Sequence, residues 1–354
     1  MDIDNSIFTT NSATNNGGAI ASETNSTLTV NSSAFSANSA GNGGAIFNNL
    51  GSDTFNSCAF SNNASIADTG GGICNVGSLV INTCTLDGNN PGGGIAQLSG
   101  FLTVNNSTVS HNTAIQSGGG MAIHGGQSTL NNCTLYDNSS SNGGGMAIDA
   151  GVANRLNNCT ISGNSANTGG GLYEIASISS ICLLTNTIVA GNIAAGGVDI
   201  SGVIDGANNL LNGGNPHLAP FGNYGGPTQT MPPLAGSAAI DAGLDSAAAS
   251  LITDQPGYPR HSGPHVDLGA VEAQLAPSSP RPVLRLSRQP GLLTFSFTNI
   301  PNADFTALSS TNIALSLNKW TILGPATQTQ PGFYQFSDPL PTDSRARFYQ
   351  VVSP

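Results

Sequence analysis

Two histidine–carboxylate pairs recur at matched positions. His111 and Asp137 each stand seven residues after an apolar residue, Val104 and Leu130. His124 and Asp149 each stand four after a glycine, Gly120 and Gly145. If the segments that carry them stack, each pair lies roughly 5 Å apart, within reach of a His–carboxylate contact of the kind used in general acid–base chemistry. A third set, His261, His265 and Asp267, offers two imidazoles and a carboxylate to a metal if one loop gathers them. Glycoside hydrolysis needs two carboxylates facing each other across about 5–10 Å. Neither stacked pair supplies a second carboxylate at its own position. A lyase of the pectate type needs clustered acids for calcium and a basic side chain, yet Arg155 is the single Lys or Arg before residue 200, against ten acids. These contacts are therefore expected to be solvated or structural, and no catalytic, cofactor-binding or metal-ligating residue is assigned.

What positions them is a repeat. Eight times an apolar residue is followed eight positions later by asparagine: Ile3/Asn11, Val30/Asn38, Phe55/Asn63, Ile81/Asn89, Val104/Asn112, Leu130/Asn138, Leu156/Asn164 and Leu184/Asn192. The starts are 27, 25, 26, 23, 26, 26 and 28 residues apart. A unit this short cannot close its own core, so the copies must stack on one another. Each reads apolar, Asn or a near substitute, small, Cys/Ser/Thr, small, apolar, then two residues and the Asn, as in Val30–Asn38. A glycine run follows, such as Gly43-Gly44-Ala45-Ile46 or Gly118-Gly119-Gly120-Met121. Apolar and β-branched residues at short spacing suit strands, and Asn/Gly clusters suit turns. One unit is one coil of a parallel β-helix, and eight coils at about 4.8 Å make a core of roughly 40 Å.

Stacking turns each repeated position into a ladder. Asn63, Asn89, Asn112, Asn138 and Asn164 are expected at one turn, their amides bonded to equivalents above and below. Cys58 and Cys84 share a position, as do Cys133 and Cys159, with Ser33, Ser107 and Thr187 filling it elsewhere. Stacked thiols are expected there, with disulfides as the alternative, since the coil spacing lies at the short end of the disulfide range. No CxxC spacing suggests zinc, and the Gly-Gly-x-Gly-x-Asp pattern of calcium-binding β-rolls is absent. Phe8, Phe35 and Phe60 are expected inside, and the repeat region contains no Trp to serve as a sugar platform.

Charged residues make up 8% of the chain and the formal net charge is −11, which excludes a phosphate-binding surface and hence nucleic acid. No apolar run reaches membrane-spanning length. The sequence opens inside a repeat with neither signal peptide nor cap, so upstream coils and an export signal are expected to precede it. Three regions follow from the composition: repeats over 1–212, a Gly/Pro/Ala-rich cap region over 213–276, and a C-terminal module over 277–354 that opens on the linker Ala276–Pro280. The module holds six of the eight basic residues and the one Trp. Its runs Leu292–Phe297, Phe305–Ser309, Trp320–Leu323, Phe333–Phe336 and Arg347–Val352 read as strands of a small antiparallel sandwich.

The repeats resemble those of chlamydial polymorphic outer-membrane proteins, through Gly17–Ile20 and Gly43–Ile46 and through Phe8–Asn11, Phe35–Asn38 and Phe60–Asn63. That resemblance implies surface exposure and often adhesion, although no C-terminal membrane barrel follows here. Residues 208–272 resemble the choice-of-anchor Q domain of secreted bacterial β-helix proteins. Four pieces match in order: Asn223–Thr228, Gly236–Gly243, Thr253–Arg260 and Val266–Glu272. Pro256 stands where the domain usually has Arg, which removes one possible ion pair. The tail resembles C-terminal modules of large secreted proteins of environmental bacteria through Thr311-Asn312, Trp320–Gly324 and Arg347–Tyr349.

The expected fold is all-β: a right-handed parallel β-helix, a cap at its C-terminal end, and a small antiparallel β-sandwich. The handedness comes from the resemblance and from the usual hand of parallel crossovers. The expected function is that of a non-catalytic, exported bacterial surface or adhesin-like rod, extracellular or cell-surface, without cofactor and monomeric. Its expected partner is an extracellular polysaccharide or a host or matrix surface. The alternative is a polysaccharide lyase or glycoside hydrolase on the same scaffold.

Overall fold

Each repeat folds into one coil of three short strands, such as Thr27–Asn31, Ala34–Ser36 and Ile46–Asn48. The computed structural model describes residues 1–150, 153–175, 181–196, 199–211, 215–274, 284–299, 303–315, 319–339 and 346–352. Among these, equivalent strands of successive coils pair in parallel and in register. The first sheet has nine strands, from Asp2–Asp4 to Asp205–Ala207. The second has nine, from Ile7–Thr9 to Leu210–Leu211, and the third eight, from Ile20–Ser22 to Ile200–Ser201. The result is a parallel β-solenoid of about eight turns. The expected linker Ala276–Pro280 and Gly197-Val198 of the fading repeat lie outside the described residues.

Three apolar columns fill the interior. Val30, Phe55, Ile81, Val104, Leu130, Leu156 and Leu184 come from the first sheet, and Phe35, Phe60, Leu86, Val109, Leu135 and Ile161 from the second. Ile46, Ile73, Ile95, Met121, Met146 and Leu172 come from the third, and all of these side chains are fully buried. Phe8, Phe35 and Phe60 stack face to face at 4.8 Å, with Phe8 only partly buried at the first coil. The glycine run is needed twice over. Gly43 has φ +62°, and a Cβ on Gly44 would come within 2.2 Å of the Gly71 carbonyl oxygen in the next coil.

The asparagine register forms as expected. From Asn11 to Asn192, each backbone N–H and Nδ2 donates to Oδ1 of the Asn one coil on, with Nδ2–Oδ1 distances of 2.8–2.9 Å. From Asn38 on, each Nδ2 also donates to a carbonyl of the preceding coil, as Asn112 does to Leu86. The run closes on Asp199, whose Oδ1 accepts from Asn192 N and Nδ2 at 2.6 and 2.9 Å. A second amide ladder, Asn31, Asn56, Asn82, Asn105, Asn131 and Asn157, lies half-buried on the outside of the first sheet. It donates the other way, toward the N-terminus, and closes on the Asp4 carboxylate.

All six cysteines are free and buried. Four of them, Cys58, Cys84, Cys133 and Cys159, share one register, and for these smallness alone does not explain the choice. The Cys58 N–H donates to Cys84 Sγ at 3.2 Å, and Cys84 N–H to Ser107 Oγ at 3.0 Å. Each thiol also approaches a carbonyl, as Cys133 does that of Asn131. The position needs a small group that both accepts and donates, which selects Ser, Thr or Cys.

A further buried column of the first sheet is mixed, with Asp53, Ser128 and Asn154 among Leu28, Leu79, Leu102 and Cys182. Asp53 lies between Leu28 and Leu79. Its Oδ1 accepts from Ser22 at 2.7 Å while Oδ2 has no partner. Burial pushes its carboxyl up to about 6. A carboxyl whose folded-state pKa is raised binds its proton more tightly in the native state. Its stabilising contribution is complete below about 4 and is lost as pH rises through about 6. Asp53→Leu, which makes this stretch of the column apolar, is expected to raise stability at pH 8 by about 1–3 kcal/mol and to flatten the fall in melting temperature between pH 4 and pH 7. Thermal melts of both proteins across that range check this.

Residues 215–274 belong to the same compact unit as the coils, Met1–Gln274. They reach well beyond the terminal coil where a cap was expected and run back along the second sheet. Outward-facing Thr108, Thr134 and Thr160 are buried there, whereas Ala59 at the equivalent position of an earlier coil is exposed. Gln255 bridges Thr134 and Thr108 at 2.6 and 2.9 Å, and Ala270 N–H donates to Thr160 Oγ1. The turn asparagines join in. Asn132 Nδ2 donates to the Thr253 carbonyl, and Asn186 exchanges hydrogen bonds with the Leu244 backbone at 2.7 and 3.1 Å.

The second unit, Leu275–Pro354, contains a four-stranded and a three-stranded antiparallel sheet. Phe295, Phe297, Phe305, Ala307, Tyr334, Phe336 and Val351 form their common core. All five expected strand regions are strands, and the largely polar Arg285–Gln289 and Thr327–Gln330 add two more.

Candidate functional site

His111 and Asp137 come together, but the closer partner of His111 is a residue the register argument missed. His111 Nδ1 lies 2.7 Å from Asp87 Oδ1, and Nε2 lies 3.7 Å from Asp137 Oδ2. Asp87 ends its strand at the position of Ser110, whose hydroxyl also donates to it. The histidine is thus held between two carboxylates of the neighbouring coils. The His111 ring stands edge-on to Tyr136 and Phe221, which stack on each other at 4.3 Å. Ser110 Oγ bonds the carboxylate and not the imidazole, so no serine–histidine relay is formed.

His124 and Asp149 also meet, Nδ1 to Oδ2 at 2.9 Å. They line a pocket of about 200 Å³ with Ala67, Asp68, Thr69, Gln116 and Ser117. Its wall arises from unequal coil lengths. Between the ladder Asn and the first glycine of the run lie seven positions from Asn63 to Gly70 and six from Asn112 to Gly118, but only three from Asn89 to Gly92. The shortened corner leaves a notch. Asp68 reaches past it, and its carboxylate accepts the backbone N–H groups of Ile115 and Gln116 at 2.9–3.1 Å. Two carboxylates and an imidazole therefore share one pocket. Each carboxylate is already engaged, Asp68 by the loop it braces and Asp149 by His124.

The third set is rearranged. Asp267 is buried, and its oxygens accept the N–H groups of Asp241 and Ala273, so it does not join the histidines. His265 and His261 instead face Asp245, at 3.0 and 3.8 Å. Hydrogen bonds from Val266 N–H and His265 hold the Asp245 carboxyl below its ordinary value. Among the described residues, no three His, Cys, Asp or Glu side chains converge in a metal-binding arrangement.

Arg260 brings a buried cation to the flank segment. Its guanidinium is buried in the flank segment, with Nη2 donating to the Asp267 carbonyl at 2.6 Å and Nε 4.0 Å from Glu272 Oε2. Glu272 accepts N–H groups from Ser262 and Asp267, and Asp254 from Gly257, Tyr258 and Glu272. Burial outweighs these bonds and pushes Asp254 up to about 6 and Glu272 up to about 7. The cluster is closed to solvent and serves to fold the segment.

In the second unit a cavity of about 360 Å³ is lined by Ala307, Leu323, Gly324, Pro325, Thr327, Thr329, Gln335, Phe336 and Ser337, none of them an acid or base. No helix among the described residues is long and apolar enough to cross a membrane. No protein-family profile matches the chain, and no curated protein matches it.

Proposed function

We propose that the chain is a non-catalytic, adhesin-like surface rod of an exported bacterial protein, acting outside the cell or on its surface by presenting the solenoid to an extracellular polysaccharide or matrix. One observation carries the reading: the polar side chains that recur through the repeat bond to one another along the axis and not to a common reaction centre. The Gly-Gly-Ala-Ile and Phe-x-x-Asn repeats, which resemble those of chlamydial surface proteins, support it. So does the likeness of residues 208–272 to a choice-of-anchor Q domain, with the C-terminal sandwich as a sorting or anchoring module.

The second reading, a carbohydrate-active enzyme, is favoured by Asp68, His124 and Asp149 in one pocket and by Asp87 beside His111 and Asp137. One experiment separates the two. The chain is incubated with acidic and neutral glycans, and products are followed by reducing-end release and by the absorbance of unsaturated sugars. Retention on immobilised polysaccharide or matrix without turnover is the expected result. Turnover abolished by Asp149→Asn or Asp137→Asn in a folded rod replaces the surface reading with the enzymatic one.

A further inference from the structure

We infer that the notch pocket formed by Asp68, Gln116, His124 and Asp149 is a subsite for one neutral sugar residue. The inference rests on the surface-rod reading and names what the rod would hold. The pocket combines carboxylate acceptors (Asp68, Asp149), an amide that both donates and accepts (Gln116), the hydroxyls of Thr69 and Ser117, and the imidazole of His124. Vicinal hydroxyls need such a mixture, because each is donor and acceptor at once. Its volume of about 200 Å³ suits one ring and not a chain lying lengthwise.

Charge narrows the ligand class. Two carboxylates face one imidazole, and no Lys or Arg lines the pocket, so a uronate or other anion is repelled. A cation is also disfavoured. The Asp68 oxygens accept three N–H contacts from the loop backbone, and Asp149 is paired with His124, so neither is an uncompensated charge awaiting a counter-ion. What remains is lone-pair capacity for hydroxyl donors. The site is held rigidly, because Asp68 ties two loops 47 residues apart in the chain.

The test uses the full chain and methyl glycosides of glucose, galactose, mannose and N-acetylglucosamine, titrated while the His124 ring and Gln116 side-chain amide resonances are followed. The expected result is a saturable shift of both with at least one glycoside. Asp149→Asn and, independently, Gln116→Ala should weaken it by about tenfold, the loss of one hydrogen bond to a charged or buried group. Asp205→Asn, an exposed change elsewhere on the rod, should leave it unaltered. Methyl glucuronide and tetramethylammonium should produce no shift. The proposal is overturned if no glycoside shifts either resonance, if both variants bind like the parent, or if either charged probe binds more tightly than every neutral glycoside. Matrix retention is scored separately. A rod that is retained with a silent pocket sinks this proposal alone, and a rod that binds a glycoside without being retained sinks the surface reading alone.

Discussion

Asn112→Ala is expected to destabilise the first unit by about 2–3 kcal/mol, a large effect for one neutral side chain. Asn112 is fully buried in the middle of the ladder. Its Oδ1 accepts from Asn89 N and Nδ2, and its Nδ2 donates to the Leu86 carbonyl and to Asn138 Oδ1. Alanine leaves the buried Asn89 N–H without a partner, strips Asn89 Nδ2 of one of its two acceptors (the Phe60 carbonyl remains), and removes one donor each from the Leu86 carbonyl and Asn138 Oδ1. No water can reach them without opening the corner. Asn131→Ala in the outer ladder is the matched control. It removes one bond to Asn105 and one from Asn157 at a half-buried site, and is expected to cost below about 1 kcal/mol. Urea unfolding of the two variants checks the difference, and equal costs would reject the inner ladder as the principal polar support of the rod.

Arg260→Met is the second large effect, about 3–5 kcal/mol at pH 8. Removing the cation leaves Asp254, Asp267 and Glu272 buried together without a counter-charge. Backbone N–H groups still reach them, but the field that favours ionisation is lost. The penalty depends on pH. The raised pKa values of Glu272 and Asp254, about 7 and about 6, mean that acid favours the folded form. This contribution is complete below their ordinary values of 4.5 and 3.8 and is lost as pH rises through 6 and 7. The variant should therefore be closest to the parent near pH 4 and furthest from it at pH 8. Hydrogen exchange locates the damage. Protection should fall across residues 215–274 and persist at Val104 and Leu130 in the core. A uniform loss along the rod would show that the flank segment does not fold as a separable layer.

The inner ladder was legible in the sequence because stacking makes chemistry periodic. A constant offset of eight between an apolar residue and Asn fixes both to one coil position, and the structure adds only the direction of the bonds. His111 and Asp137 were found by the same rule. Asp87 was missed because it stands one place earlier in its coil, where its side chain reaches His111 from an adjacent register. Asp68 was missed for the opposite reason. It lies in a corner insertion that no register describes, and the signal that could have found it was the shortened step from Asn89 to Gly92. The path of residues 215–274 was not legible at all, since a segment without periodicity gives no hint of the surface it covers. Its trace lay in the rod: Thr85, Thr108, Thr134 and Thr160 follow the Ala34 and Ala59 of earlier coils on an outward face, and the last three bond the flank segment.

The two amide ladders run in opposite directions, and each ends on an aspartate, Asp199 for one and Asp4 for the other. A carboxylate can receive a hydrogen bond but cannot pass one on, so each acts as a stop. Everything between the stops is interchangeable. Copying one unit of about 26 residues within the part of the rod that the flank segment leaves bare, before Asn106, would insert an Asn into each ladder and leave both stops and the Thr108–Thr160 seam intact. The rod would lengthen by about 4.8 Å per copy. Duplication of one repeat can thus change the reach of this protein without altering the chemistry of either end.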